Sequence, residues 1–550
     1  MFIMNVLNII KQMVRFIFVN LVLLIFILPP QLFAQNQAGS ASADRDSIIY
    51  VGDIKIIRKN VFDPEVQEEN KKLYLWVNKL HFLTKERVVR QELLLKEGQA
   101  YDEDLLEESE RNLRNLNFLG KAKIEAIPGE DGRTDILVKT QDQWSTTVSI
   151  TAQMVGSYYS AEAYFEEHNL LGWGKNLILG YQKNSERDHW QLSFLDGNIA
   201  GTHLVFQTDL YKLSDGHSYN FFFFRPIYSL TLNSAFDIRY QNEKCQTGYY
   251  REGEEVFSYQ RRNRFFYAEF DRMTGNDWKK IAGLFYQSEN KTYSLSSASD
   301  SASYSELLPA NRELQHLGVT LKLWHPQYEK LSFLDNFGII EDVDLGWRIQ
   351  GNWGLNLNRP FDKNRTDVVS LKFLLPFRLS TKQFLFFSQS VHGDWTNNRW
   401  YKILSQTETR FYFTTPYWQT LVFRAQAVSS WRQEKGFQLL LGGTNGLRGF
   451  EKFRFSGKNE LVVNFEDRFY TPWRILTVAL GGILFCDGGY VWNDKLAGRK
   501  LHADVGAGML LGLTKSYGCK ILYLNVSKSL DSNDWIVSFG SRMYFEIGDM

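Results

Sequence analysis

The stretch Leu441-Gly442-Gly443-Thr444-Asn445-Gly446-Leu447-Arg448-Gly449-Phe450 decides how this chain is read. One arginine stands between glycines in a turn-rich loop, and glycine lets a backbone pack closely and take positive φ. Strand-like runs follow, and they present Glu466 and then Asp487. An arginine on such a loop is either solvated or paired, and two downstream carboxylates offer the pairing. The arrangement predicts a plug-like element held inside something hollow.

The runs around the loop have period two. In Leu461–Phe469 the apolar set is Leu461, Val463, Phe465 and Phe469, and the polar set is Asn464, Glu466 and Arg468. Thr147–Met154 alternates in the same way, as does Ser370–Leu379. Such alternation fits strands that are apolar outside and polar inside. A sheet in a bilayer must close, because lipid cannot satisfy an open edge. Fourteen of the fifteen tryptophans lie from Trp144 onward, as interfacial aromatic girdles require. The 405 residues from Thr146 to the end, at ~25 per strand and connection, give about 16 antiparallel strands. Gln241–Arg264 and Ser288–Arg312 are polar and read as surface loops. The fold class expected is an all-β transmembrane barrel preceded by a small α+β domain. A soluble all-β protein is the rival, and it accounts poorly for the export signal, the aromatics and the alternation together.

The N-terminus reads as that signal. Lys11 and Arg15 precede an apolar run from Phe16 to Leu28, Pro29-Pro30 ends any helix, and Leu32-Phe33-Ala34 offers a cleavage site. An uncleaved anchor is the alternative. Residues 1–34 are thus a signal peptide, 35–45 a linker, 46–143 a periplasmic domain and 144–550 the barrel. Within 46–143, Ile48–Ile57 reads as a strand. Thr84 reads as the cap of a helix ending near Gly98, and Tyr101-Asp102-Glu103-Asp104 opens a second helix. Two strands follow around a Pro128–Gly132 turn. The acidic run Asp102–Glu110 reads as a solvated helix start rather than a binding surface.

Composition excludes other classes. The chain is 44% hydrophobic and 15% aromatic with a mean hydropathy of −0.31, and no apolar run after the N-terminus is long enough for a spanning helix. A net charge of +1 gives nucleic acid no basic patch to bind. Cys245, Cys486 and Cys519 are too few and too scattered for a disulfide framework or metal site. His168 beside Glu166 and Glu167 reads as a solvated turn histidine rather than a ligand. No nucleophile elbow, zinc motif or phosphate loop is present, so neither an enzyme nor a cofactor is expected.

Several stretches resemble known modules. The strand–helix–helix–strand–strand order, with Thr84–Gly98, the Asp102 helix and the Phe118-Leu119-Gly120 turn, resembles a POTRA domain. Ser538, Gly540, Met543 and Phe545 in the last strand-like run resemble the β-signal of outer-membrane barrels. Asn169-Leu170-Leu171-Gly172-Trp173-Gly174 resembles the early-barrel turn of the BamA/TamA outer-membrane assembly and translocation superfamily. Leu447-Arg448-Gly449-Phe450, Asn464–Phe469 and Phe485–Trp492 resemble its loop signature and the two strands after it.

The resemblance implies that Arg448 folds back to meet Glu466, Asp487 or both, with Gly449 and Phe450 completing the loop lock. It implies a lateral seam between the first strand, with Thr147 and Thr151, and the last, near Trp535–Phe545. The implied function is insertion or translocation of unfolded outer-membrane or secreted polypeptides, by strand templating in outer-membrane lipid, with periplasmic or lipoprotein partners. Only one POTRA-like domain fits, whereas central assembly factors carry several, which favours an accessory factor or a dedicated exporter. A passive or ligand-uptake pore is the alternative outside this class.

Overall fold

The computed structural model describes residues 49–550 apart from 130–131, 156–157, 185–186, 296–303, 359–364, 416–417, 444, 494–499, 541–544 and 546–550. The expected signal peptide, the linker and Met543 lie outside the described residues.

The first unit is built from β1 (Val51–Lys59), α1 (Lys72–Leu80), α2 (Glu86–Gln91), α3 (Glu103–Asn115), β2 (Leu119–Pro128) and β3 (Thr134–Asp142). β3 lies at the centre of the sheet, parallel to β1 and antiparallel to β2. Val51, Ile136 and Val138 from the sheet and Val89 and Leu113 from the helices form the core. Asp102 caps α3 by accepting from the Asp104 and Leu105 amides. Thr84 does not cap α2, which starts at Glu86 behind Lys85 with no side-chain cap. α1 was not anticipated, although Leu73, Trp76, Val77 and Leu80 recur at helical spacing.

Among the described residues from Thr146 to Gly540 the chain forms one antiparallel sheet of twenty strands in sequence order. Two short hairpins leave this ladder and pair only within themselves: Tyr328–Leu331 with Glu341–Asp344, and Leu439–Leu441 with Phe455–Gly457. Alternation sorts the two faces. Along Asn459–Ile475, Val462, Asn464, Glu466, Arg468 and Tyr470 are buried, while Leu461 and Phe465 are exposed. Apolar side chains on an exposed face require an apolar solvent.

The expectation of about 16 strands is too low for this sheet. Its first six strands have only nine or ten residues each and short connections, so ~25 residues per strand overestimates the repeat. Gln241–Arg264 is also not a loop. Ser234–Arg251 and Glu254–Thr274 pair along their length around a tight turn at Glu252 and Gly253, both at positive φ. Polar residues on both faces of that hairpin hide its period of two.

Candidate functional site

The Leu439–Gly457 hairpin carries Arg448 onto the buried face of the sheet. Leu441, Leu447 and Phe450 pack there against Val462 and Val491, which anchors the loop by apolar contact. Arg448 is 4% exposed, so it is not a solvated loop arginine. Its Nε and Nη2 donate to the two oxygens of Asp487 at 2.7 and 2.8 Å, and its Nη1 donates to Glu466 Oε1 at 2.6 Å. The planar guanidinium matches the Asp487 carboxylate fork to fork. It also lies over the Phe485 ring at 3.7 Å. Asn464, directly opposite Asp487 in the ladder, donates to Asp487 Oδ1 and to the Gly446 carbonyl. The structure therefore brings together Arg448, Glu466 and Asp487 from three elements.

Glu466 has a second arginine partner that sequence reading missed. Its Oε2 accepts from Arg468 Nε at 2.8 Å. Arg468 is fully buried and donates to Asp335 Oδ1 at 2.7 Å and to the Leu334 carbonyl at 3.1 Å. Leu334 and Asp335 belong to the loop of the Tyr328–Asp344 hairpin, whose Phe337 enters the same buried face. Phe337 fits because Gly481 and Gly512 face it; a Cβ on either would lie within 2.6 Å of the ring. One carboxylate thus ties together two inward hairpins that are far apart in sequence. The signal available was Arg468 sharing a face with Glu466, a cation beside an anion with no need of solvent.

Gly449 serves close approach. A Cβ there would lie 2.4 Å from Cβ of Asp504, which faces Asp487 in the next ladder. The loop also reaches toward the end of the sheet, where Ser527 Oγ donates to the Arg448 carbonyl at 2.9 Å. Ser527 pairs with Ile536 of the last strand, Trp535–Gly540. Along that strand Trp535, Val537 and Phe539 are exposed and Ile536 is buried; Ser538 and Gly540 are partly buried. Thr147 and Thr151 stand in the first strand, Thr146–Val155, opposite Glu166 and Glu162.

Phe545 departs from expectation. It does not share the exposed face of Trp535, Val537 and Phe539. It is buried with Leu334, Phe384, Phe386 and Tyr412, and its carbonyl accepts from Arg468 Nη2 at 3.0 Å. The guanidinium groups of Arg410, Arg424 and Arg468 surround its ring. A large aromatic ring finds both apolar contact and cations on the buried side.

The early turn Asn169–Gly174 is where the first unit docks. Asn169 is buried; its amide donates to Thr84 Oγ1 at 2.8 Å, and its Oδ1 accepts from the Gly174 amide at 2.7 Å. Thr84 in turn donates from both its amide and its hydroxyl to Asp142, which explains why it is not a helix cap. Gly172 has φ +77, and a Cβ there would meet the Leu83 carbonyl at 2.5 Å. The next turn repeats the device. Asn198 donates to Glu92 Oε1 at 2.8 Å and accepts from the His203 amide. The recurrence of Asn-x-x-Gly at Asn169 and Asn198 was legible in the sequence and was missed. Burial pushes the Glu92 carboxyl above its ordinary value. His168 is buried too, stacked on Tyr517 at 3.5 Å and bonded to Glu166.

The acidic run of α3 divides: Asp102, Glu103, Asp104 and Glu107 are exposed, as a solvated helix start requires, whereas Glu108 and Glu110 form a docking surface. Glu108 is buried and accepts from Ser229 Oγ and the Leu230 amide. Arg114 makes a two-pronged bond to Asp342 at 2.7 Å on both arms. Lys330 donates to Glu110 at 2.9 Å.

Comparison with known proteins agrees with this architecture. Residues 81–142 match the POTRA family, described as a surface antigen variable number repeat. A putative outer membrane protein assembly factor from Treponema pallidum is 28% identical over 129 residues, 22% of this chain and 15% of that protein. Outer membrane protein assembly factor BamA from Neorickettsia risticii is 28% identical over 129 residues, 22% of this chain and 17% of its own length. The aligned part therefore spans less than a fifth of either relative. CdiB from Acinetobacter baumannii aligns over 97% of each chain at 13% identity and a TM-score of 0.40, too slight a likeness to bear on function. Beside the large antiparallel sheet, then, residues 81–142 are similar to a POTRA domain, and part of the chain is similar to outer membrane protein assembly factors.

Proposed function

We propose that this protein inserts polypeptides into the outer membrane or secretes them across it. The observation that carries this reading is the position of the POTRA unit. It packs on the sheet at the Ser516–Cys519 turn, where the Gly518 amide donates to the Asn117 carbonyl and the Tyr517 amide to the Trp144 carbonyl. That turn leads into Ile521–Ser529, the neighbour of the last strand. Residues 46–143 form the receiving domain and 144–550 a closed barrel. Closure is supported by the strand order, which runs from Trp535–Gly540 back to Thr146–Val155. Residues 1–34 act as the export signal.

The mechanism needs no catalytic group. The seam between the last strand and the first is the junction that closes the sheet on itself and the one that opens to clients. When it opens, the free edges template an incoming strand by β-augmentation. The edge strand β2 of the POTRA sheet offers unfolded clients the same backbone groups. Arg448, Glu466 and Asp487, with Gly449 and Phe450, lock the inward hairpin in the lumen and through Ser527 brace the strand next to the seam. Ser538, Gly540, Met543 and Phe545 serve as the signal by which this barrel is itself inserted. Lipoprotein partners would engage the periplasmic side.

A passive pore fits less well, because Arg468, Tyr412, Tyr470, Phe384 and Phe386 are all less than 2% exposed where the inward hairpins pack over that face. Depleting the protein and comparing the outer-membrane and secreted proteomes tests the proposal. Loss of specific clients is expected. An unchanged proteome with altered permeability would overturn it in favour of the pore.

A further inference from the structure

We propose that α1 is an interfacial anchor that lies in the periplasmic leaflet of the outer membrane beside the seam, with lipid as its occupant. Leu73, Trp76 and Leu80 are 58, 57 and 53% exposed. At 100° per residue they fall within a narrow stripe on one side of the helix. Phe82, just beyond the helix, is 61% exposed. The adjoining side is committed to the protein. Tyr74 stacks on Phe62 at 4.2 Å, and Val77 packs with Trp144 against the same cluster. Asn78 fixes the helix to the Phe62 backbone through both its amide and its carbonyl group. The apolar stripe is thus held outward by a rigid back face and has no partner among the described residues.

Its neighbours identify the occupant. The segment before α1 is tied to the rim of the sheet by Lys515, which donates to Glu69 at 2.6 Å and to the Val61 carbonyl. The adjoining Thr514 donates to the Thr477 carbonyl. The strand ends beside Thr477 expose Trp473, Ile475 and Leu476 at 70, 63 and 68%. The first strand, which Trp144 enters, exposes Val148 and Ile150 at 72 and 83%. The stripe therefore continues the apolar face that the sheet turns toward lipid. Lys71, Lys72 and Lys79 flank it, and the helix carries no acidic residue. An apolar stripe edged by lysines matches an anionic lipid surface. Trp76 and the lysines set the helix at headgroup depth, where indole and ammonium groups both find partners. A folded protein partner would need complementary acids and would leave the adjoining lipid face unexplained.

This inference rests on the outer-membrane reading, and its test separates the two. Full-length protein lacking Cys245, Cys486 and Cys519 is labelled with a fluorophore at Trp76→Cys, Leu80→Cys, Ile150→Cys or Glu68→Cys. It is reconstituted in phosphatidylethanolamine–phosphatidylglycerol vesicles with or without brominated acyl chains. The labels at 76 and 80 should be quenched by bromolipid and shielded at least threefold from iodide relative to the label at 68. Quenching at 150 but not at 76 and 80 overturns the anchor and leaves the barrel standing. No quenching at 150 overturns the barrel. Shielding at 76 that appears only when a periplasmic extract is added also overturns the anchor, in favour of a protein occupant.

Discussion

Replacing Arg448 with lysine tests the loop lock while keeping the charge. The guanidinium makes three charge-assisted side-chain bonds, two to Asp487 and one to Glu466, in a fully buried setting. A single ammonium can reproduce one of them well, so about two are lost. Hydrogen bonds to charged groups contribute about 1.5–3 kcal/mol each, which gives about 3–6 kcal/mol for Arg448→Lys. Loss of the guanidinium stack on Phe485 adds about 0.5–2 kcal/mol. Together these come to about 3.5–8 kcal/mol, so at 1.4 kcal/mol per tenfold local opening of the hairpin rises by roughly 3 × 10² to 5 × 10⁵. Native-state hydrogen exchange at the amides of Arg448, Gly449 and Phe450 reads that opening directly. The control is Arg239→Lys, because Arg239 pairs with Asp237 at an exposed site and contributes little. Protection in Arg448→Lys within about threefold of wild type would refute the reasoning, since no buried fork could then be holding the loop.

Other expectations follow from the same contacts. Glu466→Gln leaves two buried guanidinium groups short of a charge and should destabilise both hairpins by about 3–5 kcal/mol, seen as raised exchange at Leu334–Phe337 as well as at Arg448. Gly449→Ala should cost about 1–3 kcal/mol by overpacking against Asp504, read by thermal loss of the folded band in semi-native gels. Asn169→Ala strands the Gly174 amide and removes the bond donated to the Thr84 hydroxyl, and should weaken POTRA docking by about 1–3 kcal/mol, seen as faster protease cleavage near Gln143–Ser145. Acid should loosen the same interface. Burial works to raise Glu110, but the Ile124 amide and Lys330 hold it below its ordinary 4.5. The folded protein therefore binds that proton less readily than the unfolded chain, so this stabilisation, of which the Lys330 bond is the part made across the interface, is complete above pH 4.5 and is lost as pH falls below it. Exchange at 328–344, corrected for intrinsic rates, should rise on acidification in wild type and be less pH-dependent in Glu110→Gln.

The sequence carried the alternation that sorts the sheet into two faces, because period two survives wherever lipid and interior differ sharply. It also carried Arg448 and its two carboxylates, through a glycine-marked turn and a shared face. It did not carry Asp335 or Phe545. Each meets Arg468 across long loops, and a contact set by packing of distant segments leaves no local pattern. The docking acids Glu108 and Glu110 were misread for a related reason, since a solvated acidic helix and one pressed on another unit look alike in one dimension. The extra strands were hidden by short connections, and α1 by its exposed apolar stripe, which a reading for buried faces passes over.

The central claim is that clients use a seam between the first and last strands. Cysteines at Thr151 paired in turn with Ser538 and Phe539, in protein otherwise free of cysteine, join those strands by a disulfide that a reductant reverses. The measurement is folding of an unfolded outer-membrane or secreted client by vesicles holding the oxidised or reduced protein. The account predicts loss of client folding or passage when the seam is joined and its return on reduction. Equal activity in the joined and reduced states would contradict it.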